Sequence, residues 1–157
     1  MIRNNVTRLL DAHKIAYTPM ELPVEKIGAQ EAAALMGVPQ DQVFKTIVVL
    51  REGRGKPILA VIPGDREVNL KQVAQAVGEK KVKLATERQA EQTTGLQAGG
   101  ISPLALINKG FQVLIERKAL DFEAIYVSGG QRGLNIHLSP RDLATLTKAE
   151  FSDLTNV

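Results

Sequence analysis

The sequence predicts an α+β domain built around a mixed or mostly antiparallel sheet. Three observations point there. Helix-type and strand-type segments intermingle without the regular alternation of a doubly wound parallel fold. The stretch EGRGKP, between two apolar β-rich runs, marks at least one hairpin. A chain of 157 residues with 44% apolar content is enough for one sizeable core, so residues 1–157 are expected to form a single domain.

The elements follow in order. Ile2–Ile15 reads as a helix with Val6, Leu9, Leu10 and His13 at helical spacing, which places His13 on its apolar side as a packed or boundary residue. Ala16–Leu22 reads as a short strand stopped near Pro23. AQEAAALM, Ala29–Met36, is made of strong helix formers and is ended by Gly37 and Pro39. Val43–Leu50 and Ile58–Ile62 are strands on either side of the EGRGKP turn. Asn69 caps the helix LKQVAQAV, and Gly78 closes it. VKLA is a short strand, and Thr86 opens a short helix with ERQA. FQVLIE, EAIYVS and LNIHL are three further strands. Ser139-Pro140 begins a last helix with proline at its first position. Phe151–Val157 is a tail that docks or frays.

Composition removes several function classes. There is no cysteine, so neither a disulfide framework nor a thiol nucleophile is available, which fits a cytoplasmic protein. With only His13 and His137 as imidazoles, a metal site is not expected, and no cofactor is implied. No apolar run reaches the length of a membrane helix, and the N-terminus lacks a signal-peptide core. A net charge of +3 permits a nucleic-acid partner without demanding one. Aromatic residues are 4% of the chain, too few for a platform that stacks many bases.

Three stretches carry candidate chemistry. In VFKTIVVL, Lys45 interrupts a run of apolar, mostly β-branched residues. On a strand it shares a face with Ile47 and Val49, while Phe44, Thr46, Val48 and Leu50 share the other. Both faces are apolar, so the strand is central, and the lysine either snorkels at its end or stands in a cleft to meet a carbonyl, carboxylate or phosphate. In AGGISPLAL, Gly99 and Gly100 permit close backbone approach, and successive N–H groups there can receive an anion or developing oxyanion. Pro103 stiffens the exit. The plain alternative is an ordinary turn. In YVSGGQRGLNIHL, Ser128 ends a strand, Gly129 and Gly130 turn the chain, and Arg132 is free for a phosphate. The plain alternative is a β-hairpin with a five-residue loop.

The order and wording of these stretches, FKT, then TTGLQAGGISPL, then IYVSGGQRGL, resemble the YbaK/EbsC family of aminoacyl-tRNA deacylases, related to the editing domain of bacterial prolyl-tRNA synthetases. The likeness runs from LLDAHKIAY to LSPRDLATL, and the comparison is with the stand-alone Cys-tRNA(Pro) deacylase branch. It implies a strongly bent mixed sheet and a trans-editing enzyme that removes a wrong amino acid, cysteine first, from tRNA(Pro). Aminoacyl-tRNA is the implied partner, with prolyl-tRNA synthetase beside it. Lys45 matches the family's pocket lysine, Gly99 through Pro103 its Gly-x-x-x-Pro loop, and Ser128 its strand-end serine.

The implied mechanism is substrate-assisted: the cysteinyl thiol attacks its own carbonyl carbon, and the backbone amides of Gly100, Ile101 and Ser102 stabilise the oxyanion. Lys45 would hold the terminal adenosine or carbonyl end. Leu22, Ile27 and Thr46 are candidate pocket walls, with Gly129, Arg132 and Asn135 close by. The chain departs from the family where a tyrosine of the Cys-specific branch falls at Leu22, a lysine at Gln131, an aspartate at Asn135 and a later acidic position at His137. These differences bear on which amino acid is removed. Two alternatives stand beside cysteine editing: a water-mediated deacylase for Ala-tRNA(Pro) or another small residue, and a module that binds tRNA or synthetase without turnover.

Overall fold

The computed structural model describes residues 2–156. It contains five α-helices and eight strands in the order α1 (Asn5–Ala12), β1 (Tyr17–Glu21), α2 (Ala29–Met36), β2 (Phe44–Arg51), β3 (Ile58–Pro63), α3 (Leu70–Val77), β4 (Val82–Leu84), α4 (Glu87–Thr94), β5 (Gln112–Glu116), β6 (Ile125–Ser128), β7 (Leu134–Leu138), α5 (Pro140–Thr147) and β8 (Glu150–Ser152). The strands form two sheets, a three-stranded one ordered β1-β7-β6 and a five-stranded one ordered β4-β2-β3-β5-β8. A parallel bridge between Val43 and Tyr126 joins them. The expected α+β class is what the fold shows, and most pairings are antiparallel. The β3–β5 and β5–β8 pairings are parallel.

Local chemistry accounts for the helix ends. The Asn69 side chain accepts from Gln72 N, and Gly78 stops α3 at φ +72°. Gly37 stops α2 in the same left-handed region at φ +69°, where a Cβ would be strained. Thr86 and Gln89 form a reciprocal capping box on α4, worth about 1 kcal/mol on the usual scale for such caps.

The first helix is shorter than its periodicity suggests. Asn4 caps it in a box with Thr7, and the chain leaves the helix at His13. His13 is therefore exposed, its Nδ1 against Leu9 O at 3.0 Å, rather than the packed or boundary residue expected. The C-terminal tail docks. Strand β8 pairs in parallel with β5, and Leu154 is fully buried. The buried Glu116 carboxylate fixes this end by accepting from Lys118 N, Leu154 N and Thr155 Oγ1 at 2.7, 3.1 and 2.9 Å.

Strand β2 is central, as its two apolar faces imply. Phe44 and Val48 pack into the larger core with Leu59, Val61 and Ile115. Ile47 and Val49 face a second core with Ile58, Ala60, Ile62 and the α3 residues Val73 and Ala74. A third cluster lies under α2, where Ala32 and Ala33 cover Val43 and Tyr126.

Candidate active site

The pairing of β2 is incomplete, and that gap makes a cleft. On one side β2 pairs with β3 from Phe44 to Val49. On the other side β4 covers only Val49–Arg51. Below that, the chain turns at Ala85, whose N–H bonds Val48 O at 3.0 Å, and departs into α4. The bridge from β6 reaches β2 only at Val43. Between these two supports the edge of β2 is open. Gly64 N bonds Val43 O, which sets the alternation: Val43, Lys45 and Ile47 turn their backbone groups to β3, and Thr46 turns its N–H and C=O to the open side. The open edge therefore offers a donor and an acceptor to a ligand.

The resulting cavity holds about 330 Å³. Its floor is β2 from Phe44 to Val48. Ile27, Ala29 and Ala32 form one wall, Ala85, Glu87 and Ala90 another, and Ala98, Gly99 and Ile101 a third, with Ser128 and Asn135 at the back. Alanines at five of these positions leave the space open. This volume lies at the low end for small-molecule sites.

Lys45 lines the cleft with its side chain 28% exposed. Its Nζ donates to Gly64 O at 3.4 Å and stands 3.8 Å from the carboxylate of Glu67, which is 90% exposed. The Gly64 carbonyl also accepts from Gln40 Nε2 at 3.1 Å. A Cβ on Gly64 would lie 2.4 Å from Ala29 Cβ and 2.7 Å from Val43 O, so only glycine allows this approach of α2 to the strand. Glu87 on the rim is ion-paired with Lys26.

The glycine loop needs its two glycines for different reasons. Gly99 has φ +89° and faces the cleft. Gly100 is buried outside the cleft lining, and its Cβ would meet Gln131 Cα at 2.9 Å and Arg132 N at 3.0 Å. Its N–H already bonds Gln97 O at 2.8 Å, so it is not a spare oxyanion donor. Among the described residues, none takes up the N–H of Ile101 or Ser102. Ile101 reaches the cleft, whereas Ser102 is fully buried with its Oγ accepting from Leu104 N. Pro103 is buried at the start of a 3₁₀ turn and faces a separate cavity.

Of the other candidates, Ile27, Thr46, Ser128 and Asn135 line the cleft with Lys45. Ser128 and Asn135 are cross-strand partners, and Ser128 Oγ accepts from Gly130 N at 3.2 Å. Leu22 does not reach the cavity; it packs beside Met20 and Ile27 against the α2 cluster. Gly129 lies behind the wall against Leu134. Arg132 lies outside the cleft lining and is anchored by its Nε, which donates to Ala98 O at 2.7 Å. Asn4, unremarkable in the sequence, donates to Gly129 O and Gln131 Oε1, both at 2.9 Å. Its helix-cap position was the signal available. Residues such as Ala85, Ala90 and Ala98 carry no chemical signature and emerge only from the fold.

The histidines stand apart from the cavity. His137 stacks on Tyr126 with ring centroids 4.1 Å apart. Burial pushes its pKa below the usual 6.5, against an opposing contact with the Ala124 backbone. Among the described residues, no group of three or more His, Cys, Asp or Glu is placed to hold a metal, and no helix is long and apolar enough to cross a membrane.

Residues 24–146 match the model of the family described as the aminoacyl-tRNA editing domain. The chain is 35% identical, over 98% of its length and 93% of the relative's, to an Enterococcus faecalis protein with the provisional name Cys-tRNA(Pro)/Cys-tRNA(Cys) deacylase EbsC. It is 30% identical, over 92% of its length, to a proline--tRNA ligase of Thermodesulfovibrio yellowstonii, and spans 23% of that enzyme. A crystal structure described only as a hypothetical protein superposes with a TM-score of 0.88 at 28% identity, covering 98% of this chain and all of that one.

Proposed function

The chain belongs to the aminoacyl-tRNA editing domain family, and we propose that it is a trans-editing deacylase whose cleft receives the acylated 3′ end of tRNA(Pro), with cysteine as the amino acid removed. The observation that carries this reading is the meeting of Lys45, the open Thr46 edge and the Gly99–Ile101 loop around one cavity of about 330 Å³. The named Cys-tRNA deacylase relative supports cysteine. On this reading the protein works in the cytoplasm beside prolyl-tRNA synthetase, and residues 1–157 act as one catalytic domain.

The substrate supplies the nucleophile. The cysteinyl sulfur attacks its own carbonyl carbon; the C–S bond forms and the ester C–O bond breaks. The thiol proton is released to solvent, and the terminal ribose oxygen leaves and is protonated. The free Ile101 N–H is the donor best placed to stabilise the oxyanion, and Lys45 holds the carbonyl or ribose end. Neither histidine lines the cleft, in keeping with a route that needs no protein base.

A water-mediated route for alanine has its own supporting observation. Ser128 and Asn135 sit side by side at the back of the cleft, where they can orient a water. A panel of Cys-, Ser- and Ala-tRNA(Pro) separates the two. Rapid release of cysteine as thiolactone or its hydrolysis product, with serine far slower, is the expected outcome, since a hydroxyl is a much weaker nucleophile near neutral pH. Rapid release of alanine selects the water route. Undiminished Cys-tRNA with stoichiometric protein would leave a binding module.

A further inference from the structure

A substrate whose acyl end lies in the cleft must carry its polyanionic chain out across the surface. Seven basic residues, Arg51, Arg54, Lys56, Lys80, Lys81, Lys83 and Arg132, are spread through the sequence as candidate contacts. The fold divides them. Arg132 is held by Ala98 O, and Arg51 by Glu79, Gln112 and Lys56 O. The other five are exposed, and none is in an ion pair among the described residues.

Three of them, Lys80, Lys81 and Lys83, lie on or beside the border strand β4 of the five-stranded sheet, while Lys56 turns its ammonium over the Phe111 ring, 5.0 Å from the centroid. Lys83 lies opposite Leu50. Lys81 and Lys83 share the face opposite the buried Val82, which packs on the α3 side. That is the face of β2 carrying Thr46 and Val48, both part of the cleft lining. β4 runs straight into Ala85, itself a cleft residue. At about 3.4 Å per residue, Lys83 stands about 7 Å and Lys81 about 14 Å along the strand from Ala85. Lys80 precedes them, and the β2–β3 hairpin with Arg54 and Lys56 lies at the same sheet end, since Arg51 pairs with Val82. A groove of about 360 Å³ passes between Leu50, Lys81 and Lys83; Glu52 is the carboxylate in its lining.

The opposite rim does not offer such a path. Its cation, Lys26, is paired with Glu87, and Glu21, Glu25 and Glu31 are exposed on the β1–α2 side.

We propose that the β4 edge, from Lys83 through Lys81 and Lys80 to the β2–β3 hairpin, is the track that binds the phosphate backbone of the RNA leaving the cleft. This rests on the deacylase reading. Phosphate contacts position the RNA without reading its sequence, so the track serves affinity, and identity is read elsewhere.

The test is Lys81→Gln/Lys83→Gln against a charge-matched control, Lys14→Gln/Lys71→Gln, both of whose sites are exposed. Two substrates are compared: full-length Cys-tRNA(Pro), and cysteine esterified to adenosine alone. Binding of uncharged tRNA is measured across a salt series. The β4 pair should lose about tenfold in kcat/KM on the tRNA, chiefly through KM, and less than twofold on the adenosine ester. Its log–log salt slope for tRNA binding should flatten by about 1.4–1.8, two contacts at roughly 0.7–0.9 each. The control should show neither change. Equal losses on both substrates, or a slope unchanged from wild type, would overturn the track. If wild-type protein cleaves neither substrate, the deacylase reading fails, and the uncharged-tRNA slope still decides the track.

Discussion

The two Gly-Gly loops look alike in sequence and occupy opposite sides of one wall. Gly99 and Ile101 face the cavity, and Gly99 needs its left-handed backbone. Gly129-Gly130 stands behind, where Gly130, at φ +91°, packs on Ala105 and Val6. The second loop braces the first: Gln131 and Arg132 press on Gly100, Arg132 holds Ala98 O, and Asn4 ties Gly129 and Gln131 to the start of α1. Similar glycine wording thus lines the cavity in one loop and braces that lining in the other.

Four substitutions separate contact from support. Gly100→Val forces the loops apart, because its Cβ alone would lie 2.9 Å from Gln131 Cα. Single-turnover deacylation should fall at least 100-fold, about the cost of one oxyanion donor, with a lowered melting temperature. Arg132→Met keeps the stem and removes the bond to Ala98 O. It should lower kcat about tenfold and leave KM and the salt dependence of kcat/KM unchanged. A flatter salt dependence would return Arg132 to phosphate binding.

Gly129→Ala places a Cβ 2.5 Å from the Leu134 side chain. Denaturant melts should show a loss of about 1–3 kcal/mol, the usual range for overpacking, while activity per folded molecule stays within threefold. His137→Phe keeps a ring on Tyr126 and should keep activity within twofold. Its effect is on pH dependence. The folded pKa of His137 lies below the unfolded value of 6.5, so the unfolded chain binds the proton more readily. Stability is retained above 6.5 and falls as pH drops toward the lowered value. Melts of His137→Phe between about pH 7.5 and pH 5 should show a shallower decline than wild type.

Much of this arrangement is legible in the sequence where local chemistry decides it. α2 and α3 begin and end where their formers and glycines place them. The Val43–Leu50 run becomes the central strand, because both of its faces demand cover. Lys45, Thr46, Ile27, Ser128 and Asn135 meet at one cavity. What the sequence hides is set by long-range contact. The tail's pairing with β5 depends on Glu116, far away in the chain. Arg132 is bound by a carbonyl that no spacing rule connects to it, and Gly100's N–H is consumed by Gln97. The cleft itself arises because β4 stops short along β2, a missing pairing that no single residue announces.

The most direct test is single-turnover deacylation of Cys-tRNA(Pro) by Lys45→Ala, with the fold checked by thermal melting. Lys45 reaches the cleft and has only a long bond to Gly64 O and an exposed carboxylate as partners, so its removal should leave the fold standing. The predicted result is a rate lower by about 2–4 kcal/mol of transition-state stabilisation, roughly 30- to 1,000-fold. A folded Lys45→Ala protein that deacylates at the wild-type rate would contradict the assignment of this cleft as the active site.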